Sequence, residues 1–225
     1  MNTLLIWDID GTLLQSNGLG HRPWDKAFYE LYGIPDGFKD INMAGKLDTA
    51  IIKECYKLHD IEGKNEEAFF ERYCYNLAED VKHDNFLTAA PGIPSLLKTL
   101  KAKGSIYSSL GTGNIERGAR IKLSTDNMND YFAVGGFGDE EKERWEVISD
   151  AIENSVKHFG INFEKSNIFV IGDTPRDIAC GKKLGVKSIG VATGSHSVEQ
   201  LRDCEADYVF ENFVDNERFV EVVRG

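Results

Sequence analysis

Leu4-Leu5-Ile6-Trp7-Asp8-Ile9-Asp10-Gly11-Thr12 is the stretch whose reading decides the fold. An apolar run closed by Asp-x-Asp-Gly-Thr describes a buried strand that ends in a tight turn. Residues two apart on an extended chain face the same way, so the carboxylates of Asp8 and Asp10 can converge at its end. Two acids at the mouth of a buried strand are costly without a partner. A cation beside them offsets that cost, and oxygen ligands of this kind suit Mg²⁺. The plainer reading is a turn, because Asp and Gly are common turn residues.

Further strand-like runs follow at Ser105–Leu110, Phe132–Phe137, Ile168–Ile171, Ser188–Ala192 and Tyr208–Phe210. Helix-like stretches separate most of them: Ile93–Lys103, Ile115–Met128, Glu141–Phe159, Arg176–Leu184 and Val198–Cys204. Strands alternating with helices predict an α/β fold, a Rossmann-like parallel sheet covered on both faces. The segment from Ser16 to Thr88 breaks the alternation, reading as His21–Tyr32, Leu47–His59 and Glu66–His83 with no convincing strand. The expected organisation is an α/β core from 1–15 and 89–225 with a helical insertion over 16–88, the return marked by Pro91-Gly92. Phe69, Phe70, Tyr73 and Leu77 recur at helical spacing and are expected in the core of that insertion.

Composition narrows the function classes. The chain has 225 residues, 26 basic and 37 acidic, for a net charge of −11. That balance argues against non-specific binding to nucleic acid or an anionic membrane, and an anionic substrate must be drawn by local charge. No apolar run approaches the ~20 residues of a membrane span, and no basic segment precedes a cleavable apolar stretch, so a cytoplasmic protein is expected. Cys55, Cys74, Cys180 and Cys204 show no C-x-x-C spacing and read as free thiols. His21, His59, His83, His158 and His196 are scattered, without metal-ligand spacing.

Two more strand ends carry chemistry. Ser105–Leu110 runs into Gly111-Thr112-Gly113-Asn114 and then a helical pattern, a place where backbone N–H groups and the Thr112 hydroxyl can face an anion. It is no dinucleotide fingerprint, since Glu116 stands where the third glycine is needed, and no Gly-Lys-Ser/Thr sequence makes a P-loop. Ile168–Ile171 ends in Gly172-Asp173-Thr174-Pro175-Arg176-Asp177, with Thr174 as N-cap, Pro175 at the first helical position and Asp177 in the first turn. Capping explains Asp177 but not Asp173, which suggests the same cation as Asp8 and Asp10. Ligands of open parallel sheets bind beyond the carboxyl ends of strands, so the three loops should share one crevice.

Together these pieces resemble the haloacid dehalogenase-like hydrolase superfamily: an Asp-x-Asp-Gly-Thr strand end (Asp8–Thr12), a Thr strand end (Thr112), a basic residue, and a Gly-Asp-x-x-x-Asp strand end (Gly172–Asp177). The insertion resembles the helical cap of its phosphoglycolate-phosphatase-like branch, with Gly45-Lys46-Leu47-Asp48 inside it. The resemblance implies phosphoryl transfer through an aspartyl phosphate on Asp8, with Asp10 as general acid and base. It implies Mg²⁺ held by Asp8, the Asp10 carbonyl and Asp173, with Asp177 behind them. Thr112, Gly113 and a cation would bind the phosphoryl group, with Gly11, Thr12, Asn114 and Lys46 around the substrate. Lys142 and Arg144 are both candidates for the cation; Arg144 is favoured because a guanidinium can pair with carboxylate and phosphate together. An acid at Asp10 points to phosphate esters of small metabolites, leaving open a phosphatase, a sugar phosphomutase or a non-catalytic phosphate-binding protein. No exposed apolar stripe stands out, so a monomer or weak dimer is expected.

Overall fold

The structure is a computed structural model that describes residues 2–83 and 86–225; Met1 and two residues of the inserted segment, 84 and 85, lie outside the described residues. The chain runs β1 (Thr3–Trp7), β2 (Leu14–Gln15), α1 (Arg22–Tyr32), α2 (Asp48–Leu58), α3 (Glu66–Val81) and β3 (Thr88–Ala89). It continues through α4 (Ile93–Lys101), β4 (Ile106–Gly111), α5 (Glu116–Lys122), β5 (Gly135–Gly136), α6 (Arg144–Phe159) and β6 (Ile168–Gly172). It closes with α7 (Pro175–Leu184), β7 (Lys187–Val191), α8 (Val198–Asp203), β8 (Tyr208–Phe210) and α9 (Asn216–Arg224).

Six strands form one parallel sheet in the order β5-β4-β1-β6-β7-β8. β1 lies near the middle, with Trp7 level with Leu110 on β4 and Ile171 on β6. Its side chains alternate between two cores: Leu5 and Trp7 join one apolar cluster, Leu4 and Ile6 another. That is why the run is apolar at every position rather than every second one. Trp7 meets Phe213 and Phe219 with ring centroids 5.7 Å away. Phe219 belongs to α9, a helix the sequence reading did not assign.

Helices α1, α2 and α3 stand between the short strands β2 and β3, which pair antiparallel, Leu14 with Ala89 and Gln15 with Thr88. This two-residue ribbon, too short to show a period in the sequence, carries the chain out of the sheet and back. Trp24 of α1 organises the helices, with ring centroids 4.5 Å from Tyr73, 5.2 Å from Phe38 and 5.5 Å from Phe69.

Several expected elements are shorter. The helix expected over Ile115–Met128 ends at Lys122, and a kinked 3₁₀ segment over Thr125–Tyr131 follows with Asp126 and Asn127 at φ 52° and 55°. Short polar side chains tolerate the left-handed region and compete for backbone hydrogen bonds, which stops the helix. The helix expected from Glu141 begins at Arg144, because the Glu146 carboxylate accepts a 2.7 Å hydrogen bond from the Glu143 N–H and closes its first turn there. The strand expected over Phe132–Phe137 reduces to Gly135–Gly136 at the sheet's edge. The four cysteines are free thiols. No described helix is long and apolar enough to cross a membrane.

Candidate active site

The site lies beyond the carboxyl ends of β1, β4 and β6, neighbours in the sheet. The loop after β1 delivers Asp8 and Asp10, the loop after β4 delivers Thr112, Gly113 and Asn114, and the loop after β6 delivers Asp173. Arg144 enters from the first residue of α6 and Asp177 from the first turn of α7.

Asp8, Asp173 and Asp177 are buried, and one carboxylate oxygen from each lies within 4.8 Å of the others. The buried Arg144 guanidinium binds two of the three: its Nη2 is 3.0 Å from Asp8 Oδ1 and 2.8 Å from Asp177 Oδ1, and it also donates to the Gly111 carbonyl at 3.3 Å. Its Nε is buried with no hydrogen-bond partner, and its Nη1 lies beside Gly113. Lys142 turns away, held by Asp150 at 2.8 Å and Glu140 at 3.3 Å. Of the two candidate cations, the structure brings Arg144 to the carboxylates.

One guanidinium does not balance three buried carboxylates. Burial pushes Asp8 up to about 6 against the pull of Arg144, with Asp177 and Asp10 adding to the rise. Burial, then the charges of Asp8 and Asp177, push Asp173 up to about 8. A set of hard oxygens short of positive charge fits a hard divalent cation. Gly11 makes this packing possible: it holds φ +79°, and a Cβ there would come 2.5 Å from Asp173 Oδ2. Thr12 is buried behind it and donates to Asp173 Oδ1 at 3.4 Å, bracing the carboxylate. Asp177 also caps α7, its Oδ2 accepting from the Thr174 hydroxyl at 2.7 Å and the Thr174 N–H at 3.2 Å.

The Asp10 side chain lies outside the carboxylate cluster. Both its oxygens accept from Lys122 Nζ, at 2.8 and 2.6 Å, and Oδ2 accepts from Asn114 Nδ2 at 2.8 Å. Desolvation pushes this carboxyl up, but the charge and hydrogen bond of Lys122, with that of Asn114, outweigh it and hold it below the usual carboxylate range. Asn114 accepts from Lys122 at 2.6 Å and donates to the Thr112 hydroxyl at 2.8 Å, while the Asn114 N–H donates to the same oxygen at 3.3 Å. The Thr112 hydroxyl accepts in both bonds, which frees its own hydrogen for a ligand.

Sequence reasoning missed Lys122 and gave Asp48 no role. Lys122 lies three and four residues beyond the buried Ala119 and Gly118, so it shares the buried face of α5. A lysine on a buried face is the signal that was available. Asp48, at the start of α2, is buried; its Oδ2 accepts from the Ile115 N–H at 2.9 Å and its own N–H donates to the Gly113 carbonyl at 2.8 Å. It joins the inserted helices to the loop after β4. Lys46, two residues earlier, also lines the cavity and pairs with Glu54.

The profile of haloacid dehalogenase-like hydrolases matches residues 5–191. The chain belongs to that family. A pyrophosphatase PpaX of Halalkalibacterium halodurans is 26% identical over 216 residues, which are 96% of this chain and 94% of that one. Among solved structures, a hydrolase from Pseudomonas syringae superposes with TM-score 0.74 at 20% identity, covering 99% of both chains. A predicted phosphoglycolate phosphatase from Haemophilus somnus gives TM-score 0.71 at 18% identity, covering 97% of this chain and 98% of its own. The fold is therefore shared with these structures over nearly the whole length.

Proposed function

We propose that the protein is a divalent-metal-dependent phosphatase of small phosphate esters that works through an aspartyl phosphate on Asp8. The observation that carries this reading is the Arg144 guanidinium, bound to Asp8 at 3.0 Å with its Nε unpartnered beside two further buried carboxylates. Asp8 and Asp173, with the Asp10 carbonyl, would hold a cation of the Mg²⁺ kind, which supplies charge neutralisation to the phosphoryl oxygens. The Arg144 Nε, the Thr112 hydroxyl and the Gly113 N–H take up phosphoryl oxygens. An Asp8 oxygen attacks phosphorus; the new P–O bond forms as the ester P–O bond breaks, and the leaving alkoxide takes a proton from Asp10. Water then attacks phosphorus, Asp10 takes a water proton, and the Asp8–phosphorus bond breaks to release phosphate.

Lys122 keeps Asp10 ionised in the resting site, the state needed to accept the water proton. A phosphoryl dianion arriving beside Asp10 raises its proton affinity again, as the acid step requires. Segment 16–88 acts as the cap: its contacts through Asp48 to Gly113 and Ile115, and from Arg176 of α7 to the Ala44 carbonyl, close it over the site and exclude water.

Phosphate release from a panel of monophosphates and pyrophosphate, with Mg²⁺, with EDTA and with Asp8→Asn, tests the reading. Release that needs the metal and Asp8, with acid-quenched protein carrying hydroxylamine-labile phosphate, is the expected result. Release that survives Asp8→Asn sinks the aspartyl-phosphate route. Phosphate moved between sugar positions without net release would identify a mutase instead.

A further inference from the structure

The cavity that opens from Asp8 and Thr112 towards the inserted helices has a volume of about 570 Å³. That is far more than a phosphoryl group fills and lies in the range of ~300–1,000 Å³ that houses drug-sized organic ligands. On the inserted side Trp24, Ile51, Tyr73, Leu77, Phe86 and Leu87 line its wall, with the polar side chains of Ser16, His21, Lys46 and Asp48 among them. The Tyr73 hydroxyl is a polar group within that wall and is buried without a hydrogen-bond partner.

The lysine and arginine side chains lining the cavity are already paired. Among the described residues, its lysines and arginine are Lys46, Lys122 and Arg144. Lys46 holds Glu54, Lys122 holds Asp10, and Arg144 holds Asp8 and Asp177. Asp48 adds a further carboxyl on the inserted side. A second phosphate or a carboxylate on the leaving group would enter this chamber without an unpaired lysine or arginine, among the described residues, to meet it.

We infer that the substrate is a phosphate monoester of a predominantly apolar alcohol, whose hydrocarbon part fills the chamber beneath Trp24, Tyr73 and Leu77. The inference rests on the phosphatase reading and deepens it by naming the leaving group. A second anionic group, as in pyrophosphate or phosphoglycolate, is disfavoured by the same wall.

The test uses the whole chain in Mg²⁺ buffer with two homologous series. For n-alkyl phosphates from ethyl to hexyl, kcat/KM rises about fourfold per methylene, the factor expected for one buried CH₂ group. For the matching n-alkyl phosphonates, which cannot be hydrolysed, the dissociation constant from calorimetry falls by the same factor with a negative heat-capacity change. Leu77→Ala, shown to be folded by near-UV circular dichroism, flattens both series. Flat series in the wild type, or pyrophosphate and phosphoglycolate turned over faster than hexyl phosphate, overturn the inference and leave the phosphatase reading standing. Graded phosphonate binding without turnover of any ester supports the chamber and defeats the phosphatase reading. Undiminished slopes in folded Leu77→Ala place the apolar contact elsewhere and overturn the assignment.

Discussion

Replacing Arg144 by Met keeps a long side chain and removes the guanidinium that faces the buried carboxylates. Two ion pairs disappear together, to Asp8 at 3.0 Å and to Asp177 at 2.8 Å, all three side chains being buried. Breaking a buried pair by deleting one partner costs about 3–5 kcal/mol, because the remaining charge is left unpaired. Asp8 relieves part of that cost by taking up a proton, so the metal-free variant is expected to lose about 3 kcal/mol at pH 7 and less at pH 5. Arg144 is the chief influence holding Asp8 down against burial, so without it Asp8 climbs above about 6. On the proposed mechanism Asp8 is the nucleophile and must be ionised, so activity fades as pH falls through its pKa. The acid limb of kcat/KM therefore moves to higher pH in the variant. Loss of donors to the transferring group lowers kcat/KM by a further factor of about 10²–10³. Urea denaturation across pH and initial rates of phosphate release measure both effects. Arg144→Lys keeps the charge but not the fork that spans Asp8 and Asp177, and should recover little of the rate. A variant Arg144→Met with wild-type stability at pH 7, or an unmoved acid limb, would refute the reasoning.

Other perturbations separate the remaining parts. Lys122→Met leaves Asp10 with Asn114 alone; because Asp10 is 47% exposed, stability should change by less than about 1 kcal/mol, while kcat/KM for esters with poor leaving groups falls about tenfold or more, read from a series of aryl phosphates. Gly113→Ala puts a Cβ 2.1 Å from the Lys46 carbonyl and 2.8 Å from Arg144 Nη1, so the loop bearing Lys46 must retreat; a stability loss of about 1–3 kcal/mol and faster amide exchange at Ala44–Asp48 are expected. Burial pushes Asp48 up to about 7 from its ordinary value, so the folded state holds this proton more tightly than the unfolded chain and Asp48 destabilises increasingly as pH rises from about 4 through 7. Asp48→Asn should therefore be about 2–4 kcal/mol more stable than the wild type at pH 8, with little difference at pH 4, by urea denaturation. Mg²⁺ competes with protons for Asp8 and Asp173, so the melting-temperature rise it brings should be larger at pH 8 than at pH 5.5.

How much could be read beforehand follows from where each contact is made. Asp8 and Asp173 were legible because each closes an apolar run, Thr112 because it follows a strand-like run and precedes a helical pattern, and a parallel sheet brings the carboxyl ends of neighbouring strands to one edge whatever the details of packing. Arg144 was legible only as one of two cations, because the loop of Gly138–Glu143 has no period; the choice depends on the Glu146 carboxylate closing the helix's first turn at Glu143. The ribbon β2–β3 escaped for want of length, while helix α9 went unassigned although Phe219, Val220 and Val223 recur at helical spacing. Lys122 and Asp48 escaped for a different reason. Each acts across a boundary between segments distant in sequence: Lys122 reaches Asp10, 112 positions earlier, and Asp48 reaches Ile115, 67 positions later. Neither breaks a local rule, since a lysine in the last turn of a helix and an aspartate in the first turn both suit the helix dipole. The strand ends of this fold thus present the buried carboxylates and hydroxyl of the candidate site in a form that one sequence reveals. The groups that tune Asp10 and fasten the inserted helices satisfy the rules of their own helices, and only the docking of those helices gives them their second partner.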